Sequence, residues 1–158
     1  MAQRMRLKAE DLEDLRIVST FVQDALVKVE EIAYVPGSRQ FTLLINRFCW
    51  EHRPVGDVRF ADVVAGRASR APHERVRSGL TFGSVLRARR QKLTQQAKEQ
   101  VLALLSVEAV PGEDAAATII LTFAGGAQLR LDVECVDVRL EDLGDPWPVK
   151  RRPAHALK

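Results

Sequence analysis

The sequence predicts an α+β domain, mostly antiparallel β. Two pseudo-repeated three-stranded units form a barrel or sandwich, with an N-terminal helix. Three observations carry this. Only one segment, near the N-terminus, has helical periodicity. Most of the rest runs in short apolar-polar alternations broken by Pro-Gly and Gly-Gly turns. And the halves look alike. IAYVPGSRQFTLLINRF (Ile32–Phe48) lines up with VEAVPGEDAAATIILTF (Val107–Phe123) at an offset of 75, and VLRAR (Val85–Arg89) with CVDVR (Cys135–Arg139) at an offset of 50.

The helix is expected over residues 9–22. Leu12, Leu15, Val18 and Phe21/Val22 recur at three- and four-residue spacing, and Glu10, Asp11, Glu13 and Asp14 crowd the end where the helix dipole favours negative charge. Ala25–Val35 and Arg39–Trp50 read as two strands, joined as a hairpin by Pro36-Gly37-Ser38. Residues 51–75 read as a long connection with a short helical turn near Arg59–Val64. A loop of this length is usually functional or mobile. Val76–Arg90 is the third strand. Val76, Leu80, Phe82, Leu86 and Ala88 share one parity, and Arg77, Thr81, Arg87 and Arg89 the other. Residues 91–100 are polar, with room for a short helix. Val101–Val110 and Thr118–Phe123 follow, split by Pro111-Gly112. In Ala127–Cys135, Leu129, Leu131, Val133 and Cys135 face inward. The parity then slips at Val136, which predicts a bulge or corner before Val138 and Leu140. The 25–143 body ends in an extended Pro-rich basic tail, 144–158, and the whole chain, 1–158, reads as one domain.

Composition narrows the function classes. The chain has 158 residues, 46% hydrophobic and 28% charged, which is ordinary globular composition. No apolar run approaches the roughly 20 residues a membrane helix needs, and the N-terminus lacks the apolar core of a signal peptide. Cys49 and Cys135, far apart among apolar residues, read as reduced core thiols, so a cytoplasmic protein is expected. Charge is segregated. Residues 67–92 hold eight Lys/Arg and one acid, while residues 99–145 hold two Lys/Arg and ten acids.

No catalytic or cofactor constellation emerges. Cys49-Trp50-Glu51-His52 is a lone C-x-x-H without the second ligand pair a structural zinc requires. Phosphate loops and nucleophile elbows are absent. No metal and no cofactor are expected, and the reading leans against an enzyme. His52 and His73, in the long loop, are the weak candidates for a small-molecule site. Arg77, Arg87, Arg89 and Arg90 are the candidate anion or nucleic-acid contacts. A single-strand reader interleaves aromatic platforms with its basic residues, and here Phe82 is the only aromatic and lies on the apolar parity. Pairing of the basic strand with the acidic row Asp132, Glu134 and Asp137 is the favoured reading. Trp147, between prolines in the tail, reads as an anchor for a partner or for the chain's own body.

The run EIAYVPGSRQFTLLINRFCWE (Glu31–Glu51), with RSGLTFGSVLRAR, FAGGAQLRLDVECVDV and LEDLGDPWPVKRRPAH, resembles an uncharacterised bacterial family, domain-of-unknown-function family 2948, found mainly in alphaproteobacteria. The resemblance covers nearly the whole chain, from about Leu12 to His155, and implies no activity, cofactor or catalytic residue. The sequence thus points to a non-enzymatic cytoplasmic binding or assembly module. Its partner is another protein or a second copy in a homodimer. A nucleic-acid-binding module and a small-molecule binder or enzyme at the long loop stand as alternatives.

Overall fold

Turn chemistry sets the strand boundaries. A computed structural model gives the structure of residues 4–51, 73–93 and 99–150. The elements are β1 (Arg6–Ala9), α1 (Leu12–Phe21), β2 (Leu26–Lys28), β3 (Ile32–Val35), β4 (Gln40–Phe48), β5 (Glu74–Phe82), β6 (Val85–Gln91), β7 (Val101–Pro111), β8 (Ala117–Phe123), β9 (Gln128–Val133), β10 (Val138–Asp142) and β11 (Trp147–Pro148). The strands form one antiparallel path, β1-β10-β5-β4-β2-β7-β8-β9-β6, with β3 added on β4 and β11 on β5. The path does not close into a barrel, and a sandwich-like β-rich fold describes it. Leu43, Leu80, Phe82, Leu104, Ile119, Leu121, Leu131 and Leu140, all nearly inaccessible, form the middle of a single core.

α1 starts three residues later than expected, at Leu12 within the acidic cluster. Asp11 caps it, its side chain accepting from Asp14 N at 2.8 Å. Leu15 and Val18 are its buried residues, and the Ser19 hydroxyl accepts from Val107 N of β7 at 2.9 Å. The expected strand over residues 25–35 is broken. A single 3₁₀ turn at Val29–Glu31 separates β2 from β3, so β2 bridges β4 and β7 while β3 folds back on β4 alone. β1 has no apolar alternation long enough to announce it.

The pseudo-repeat is a repeat of pairing. In the first half β3 pairs β4 and β4 pairs β5; in the second β7 pairs β8 and β8 pairs β9. Ile32 opposes Leu43, as Val107 opposes Leu121, so the first strands correspond at an offset of 75 and the second strands at 78. The extra three residues lie in the longer second turn. Because three is odd, a uniform offset of 75 sets core residues of β4 against outward residues of β8. The pairing Leu80↔Leu140 against Leu129↔Arg90 makes Leu140 the counterpart of Arg90, at the offset of 50 seen in the sequence.

The third strand of each unit crosses into the other half. β5 bends at Gly83-Ser84 and continues as β6. β9 bulges at residues 134–137 and continues as β10. At the crossing Gly83 N donates to Asp137 O at 2.8 Å and Glu134 N to Ser84 O at 3.0 Å. A Cβ on Gly83 would stand 2.5 Å from the Asp137 carboxylate, so this approach uses glycine. The bend, with Ser84 at φ 56°, and a register shift between Val85 and Arg87 reset the parity. Leu86, expected to face the core, is therefore 51% exposed, while Ala88 packs inward. Val136 is buried at the bulge and Cys135 is only half-buried.

Candidate functional site

Two places gather polar and charged side chains, one at each end of the first hairpin. At the β4 C-terminus, Arg47 takes a core position and is wholly inaccessible. A charge there is tolerated only when paired and fully hydrogen-bonded. Its Nε and Nη2 donate to the two Asp142 carboxylate oxygens, both at 2.9 Å, and its Nη1 and Nη2 donate to Glu51 at 2.8 and 2.7 Å. Ser78 Oγ donates to Asp142 at 2.8 Å and Met5 N at 3.1 Å. Burial disfavours the Arg47 charge, but its two carboxylate partners outweigh that and hold its pKa above the ordinary value. Burial likewise pushes Asp142 up, and the bonds from Arg47 and Ser78 bring it below the usual carboxylate value. Next door, burial pushes the Cys49 thiol up to about 12, which keeps it a thiol rather than a nucleophilic thiolate. This cluster is a saturated structural network.

The second place is a slot between two strand edges. β3 pairs only with β4, and β6 only with β9, so each has one edge without a strand partner among the described residues. The edges meet at one end, where Val85 N donates to Arg39 O at 2.8 Å and Tyr34 Oη donates to Val85 O at 3.2 Å. Beyond that they diverge around a cleft of about 320 Å³ with Val29, Ile32, Phe41, Leu93 and Leu129 in its lining and Arg89 and Arg90 at its side.

The sequence-derived candidates fall in different places. Arg77 is not beside the others: it bonds Asn46 Oδ1 at 3.2 Å and forms an ion pair with Glu31. Arg87, Arg89 and Arg90 lie together on β6, exposed. Arg89 pairs with Asp132 at 3.1 Å, and Arg39 pairs with Glu134, so the acidic strand does meet basic side chains. Arg87 and Arg90 have no carboxylate partner among the described residues. Trp147 is 38% exposed, and its backbone pairs with Arg75 of β5. His73 lies with its ring 5.9 Å from that of Phe48, and its carbonyl accepts from Val149 N. His52, most of the long loop and the possible helical segments near 59–64 and within 91–100 lie largely outside the described residues. Among the described residues no three His, Cys, Asp or Glu side chains gather as a metal site, and no helix is long and apolar enough to cross a membrane.

The quoted motifs now have physical roles. In Asn46-Arg47-Phe48-Cys49-Trp50-Glu51, Asn46 holds Arg77, Arg47 and Glu51 belong to the buried network, and Trp50 stacks edge-on to Phe48 while donating Nε1 to Gln23 O at 2.9 Å. Ser78 comes from the second motif and Asp142 from the last, so three separate stretches converge on one buried charge. A family model for a protein of unknown function, DUF2948, matches residues 5–155. The chain belongs to that family. No curated protein and no solved structure matches it.

Sequence reasoning missed both sites. Arg47 shares the parity of Phe41, Leu43 and Ile45, the one sequence signal that places it in the core, and its partner Asp142 is 95 residues away. The slot had a signal: the aligned VLRAR and CVDVR place Ala88 and Arg90 where the second unit has Val138 and Leu140.

Proposed function

We propose that this chain is a bacterial, cytoplasmic, non-enzymatic binding module, a single domain that docks a segment of a partner protein in the slot between β3 and β6. One observation carries the reading: two strand edges flank an apolar cleft in a fold whose other chemistry-bearing cluster is saturated by its own hydrogen bonds. Edges of this kind are templates for added strands. Homodimerisation by pairing β6 with its own copy is disfavoured, because it sets arginine rows together. The exposed Arg87, Arg89 and Arg90 favour nucleic acid as the second reading. Against it, Phe82 and Phe41 are buried, which leaves half-buried Tyr34 as the one accessible aromatic beside Arg89 and Arg90 among the described residues, where a single-strand reader stacks successive bases on several.

The test is a photo-crosslinking residue placed at Ala88 in the slot and, as control, at Glu13 on the exposed face of α1, in the native cells. Protein adducts from position 88 that are absent from position 13 support the reading. Adducts to nucleic acid alone, or none specific to position 88, overturn it.

A further inference from the structure

The slot has a counterpart in the second half, where a strand and a helix of the chain itself lie on the two edges and leave a cleft of about 380 Å³ between α1 and Val107–Ala109. By register, β10 stands to the second unit as β6 stands to the first, and the end of β7 stands as β3 does. The free edge of β10 is taken by β1: Arg6 opposes Glu141, Leu7 Leu140, Lys8 Arg139 and Ala9 Val138. The edge of β7 is covered by α1, whose Ser19 accepts the Val107 N–H. Met5, Leu7 and Ala9 of this segment pack on the core, and Arg6 bonds Glu141 at 3.1 Å. The fold therefore lays an antiparallel strand from its own N-terminus on the edge of one of two equivalent gaps, apolar side chains in and charged ones out.

The same operation applied to the open gap defines its occupant. The residues equivalent to Val138, Arg139, Leu140, Glu141 and Asp142 are Ala88, Arg89, Arg90, Gln91 and Lys92. Two differences matter. Ala88 and Arg90 in place of Val138 and Leu140 leave apolar volume to be filled. And the charge differs: β10 sets Arg139 and Glu141 on its outer face, opposite Lys8 and Arg6 of β1, whereas β6 sets Arg87, Arg89 and Gln91 on its outer face, with Arg90 and Lys92 on the other parity. Of the β6 arginines only Arg89 has an acidic partner among the described residues.

Resting on the binding-module reading above, we infer that the slot takes an extended acidic peptide. The peptide adds antiparallel to β6 opposite Ala88–Gln91, alternating apolar residues toward Val29, Ile32, Phe41 and Leu129 with carboxylates toward the face that carries Arg87 and Arg89. Backbone bonds to the edge supply attachment, and the alternation supplies register.

The experiment uses the full chain and three synthetic peptides: a blocked Leu-Glu-Val-Asp-Val, the same peptide with lysines for the acids, and the acidic peptide N-methylated on alternate amides. Binding is followed by amide shifts in NMR spectra and by competition against the position-88 crosslink. The acidic peptide is expected to shift Ala88–Gln91 and to suppress the crosslink. The lysine peptide is expected to bind about tenfold more weakly, because both carboxylates are replaced by cations facing arginines, and the N-methylated one to lose binding. Arg87→Glu with Arg89→Glu, both exposed and so compatible with folding, should invert the preference between acidic and lysine peptides. Equal binding of the two peptides, or shifts confined to other surfaces, overturns the inference. A position-88 protein adduct that the acidic peptide does not suppress overturns it while leaving the binding-module reading standing. Absence of that adduct overturns the binding-module reading itself. Binding of an oligonucleotide in place of the acidic peptide, lost in the double variant, also overturns it.

Discussion

The two halves of this protein share one pairing scheme and differ in what fills the space beside it. In the second half β1 lies on the edge of β10 and α1 over the edge of β7, and the Arg47–Asp142 pair ties the β10 edge to the core. In the first half the gap between β3 and β6 stays open, with Ala88 and Arg90 where the second half has Val138 and Leu140. The difference teaches that a sheet edge is stabilised by what is laid on it. One edge has an intramolecular strand, and the other, beyond its contact with Arg39 and Tyr34, has no strand partner among the described residues.

The comparison is broken most severely at the β10 edge. Arg47→Ala leaves Asp142 and Glu51 without their buried counter-charge and should cost about 3–5 kcal/mol, read as a lowered urea midpoint. Acid attacks the same pair. Asp142 in the folded state lies below the usual carboxylate value, so its contribution is fully present above the unfolded value of about 3.9 and is lost as pH falls through the folded one. Unfolding free energy should therefore drop as pH falls below that value, and Asp142→Asn should flatten this part of the dependence. Leu15→Ala, in the helix that lies over the β7 edge, should cost about 2–4 kcal/mol through the cavity it leaves. Ser19→Ala, which removes the acceptor for Val107 N, should cost about 1 kcal/mol. Smallest of all, Ala88→Leu enlarges a side chain into open space. Its stability should change by no more than about 0.5 kcal/mol, while peptide binding at the slot is lost. A large loss of stability from Ala88→Leu would mean that the edge in the first half is covered too.

Much of the fold was legible because its signals are local. Leu12, Leu15 and Val18 mark α1, Pro36-Gly37-Ser38 and Pro111-Gly112 mark the hairpins, and the slip at Val136 marks the bulge. The failures share a cause. β1 is four residues long and reads as polar because Arg6 and Lys8 alternate with Leu7 and Ala9; only its place on β10 makes it a strand. Leu86 reads as core until Ser84 and the register shift after Val85 turn it outward. Arg47 has core parity but does not read as a buried charge, because only Glu51 of its two carboxylates is near in sequence and Asp142 lies 95 residues away. The slot depends on which edges remain unpaired, and no window of sequence states that. The exposed arginines of β6 were visible, but their apolar neighbours across the cleft, Val29, Ile32 and Phe41, belong to strands far away in sequence.

The crossing of the two bent strands has a consequence for how the chain is made. β5 finds its partner β10 only after about 60 further residues have been synthesised, and Arg47 meets Asp142 at a separation of 95 residues. β1 waits longer still, since Met5 N bonds a carboxylate 137 positions on. On the ribosome the first hairpin is therefore complete while its arginine is still hydrated and the N-terminal strand still unpaired. Asp142, made late, locks Met5 and Arg47, made early. Such long-range closure makes folding slow and late, and the nascent chain passes through a stage in which both gaps, not one, stand open.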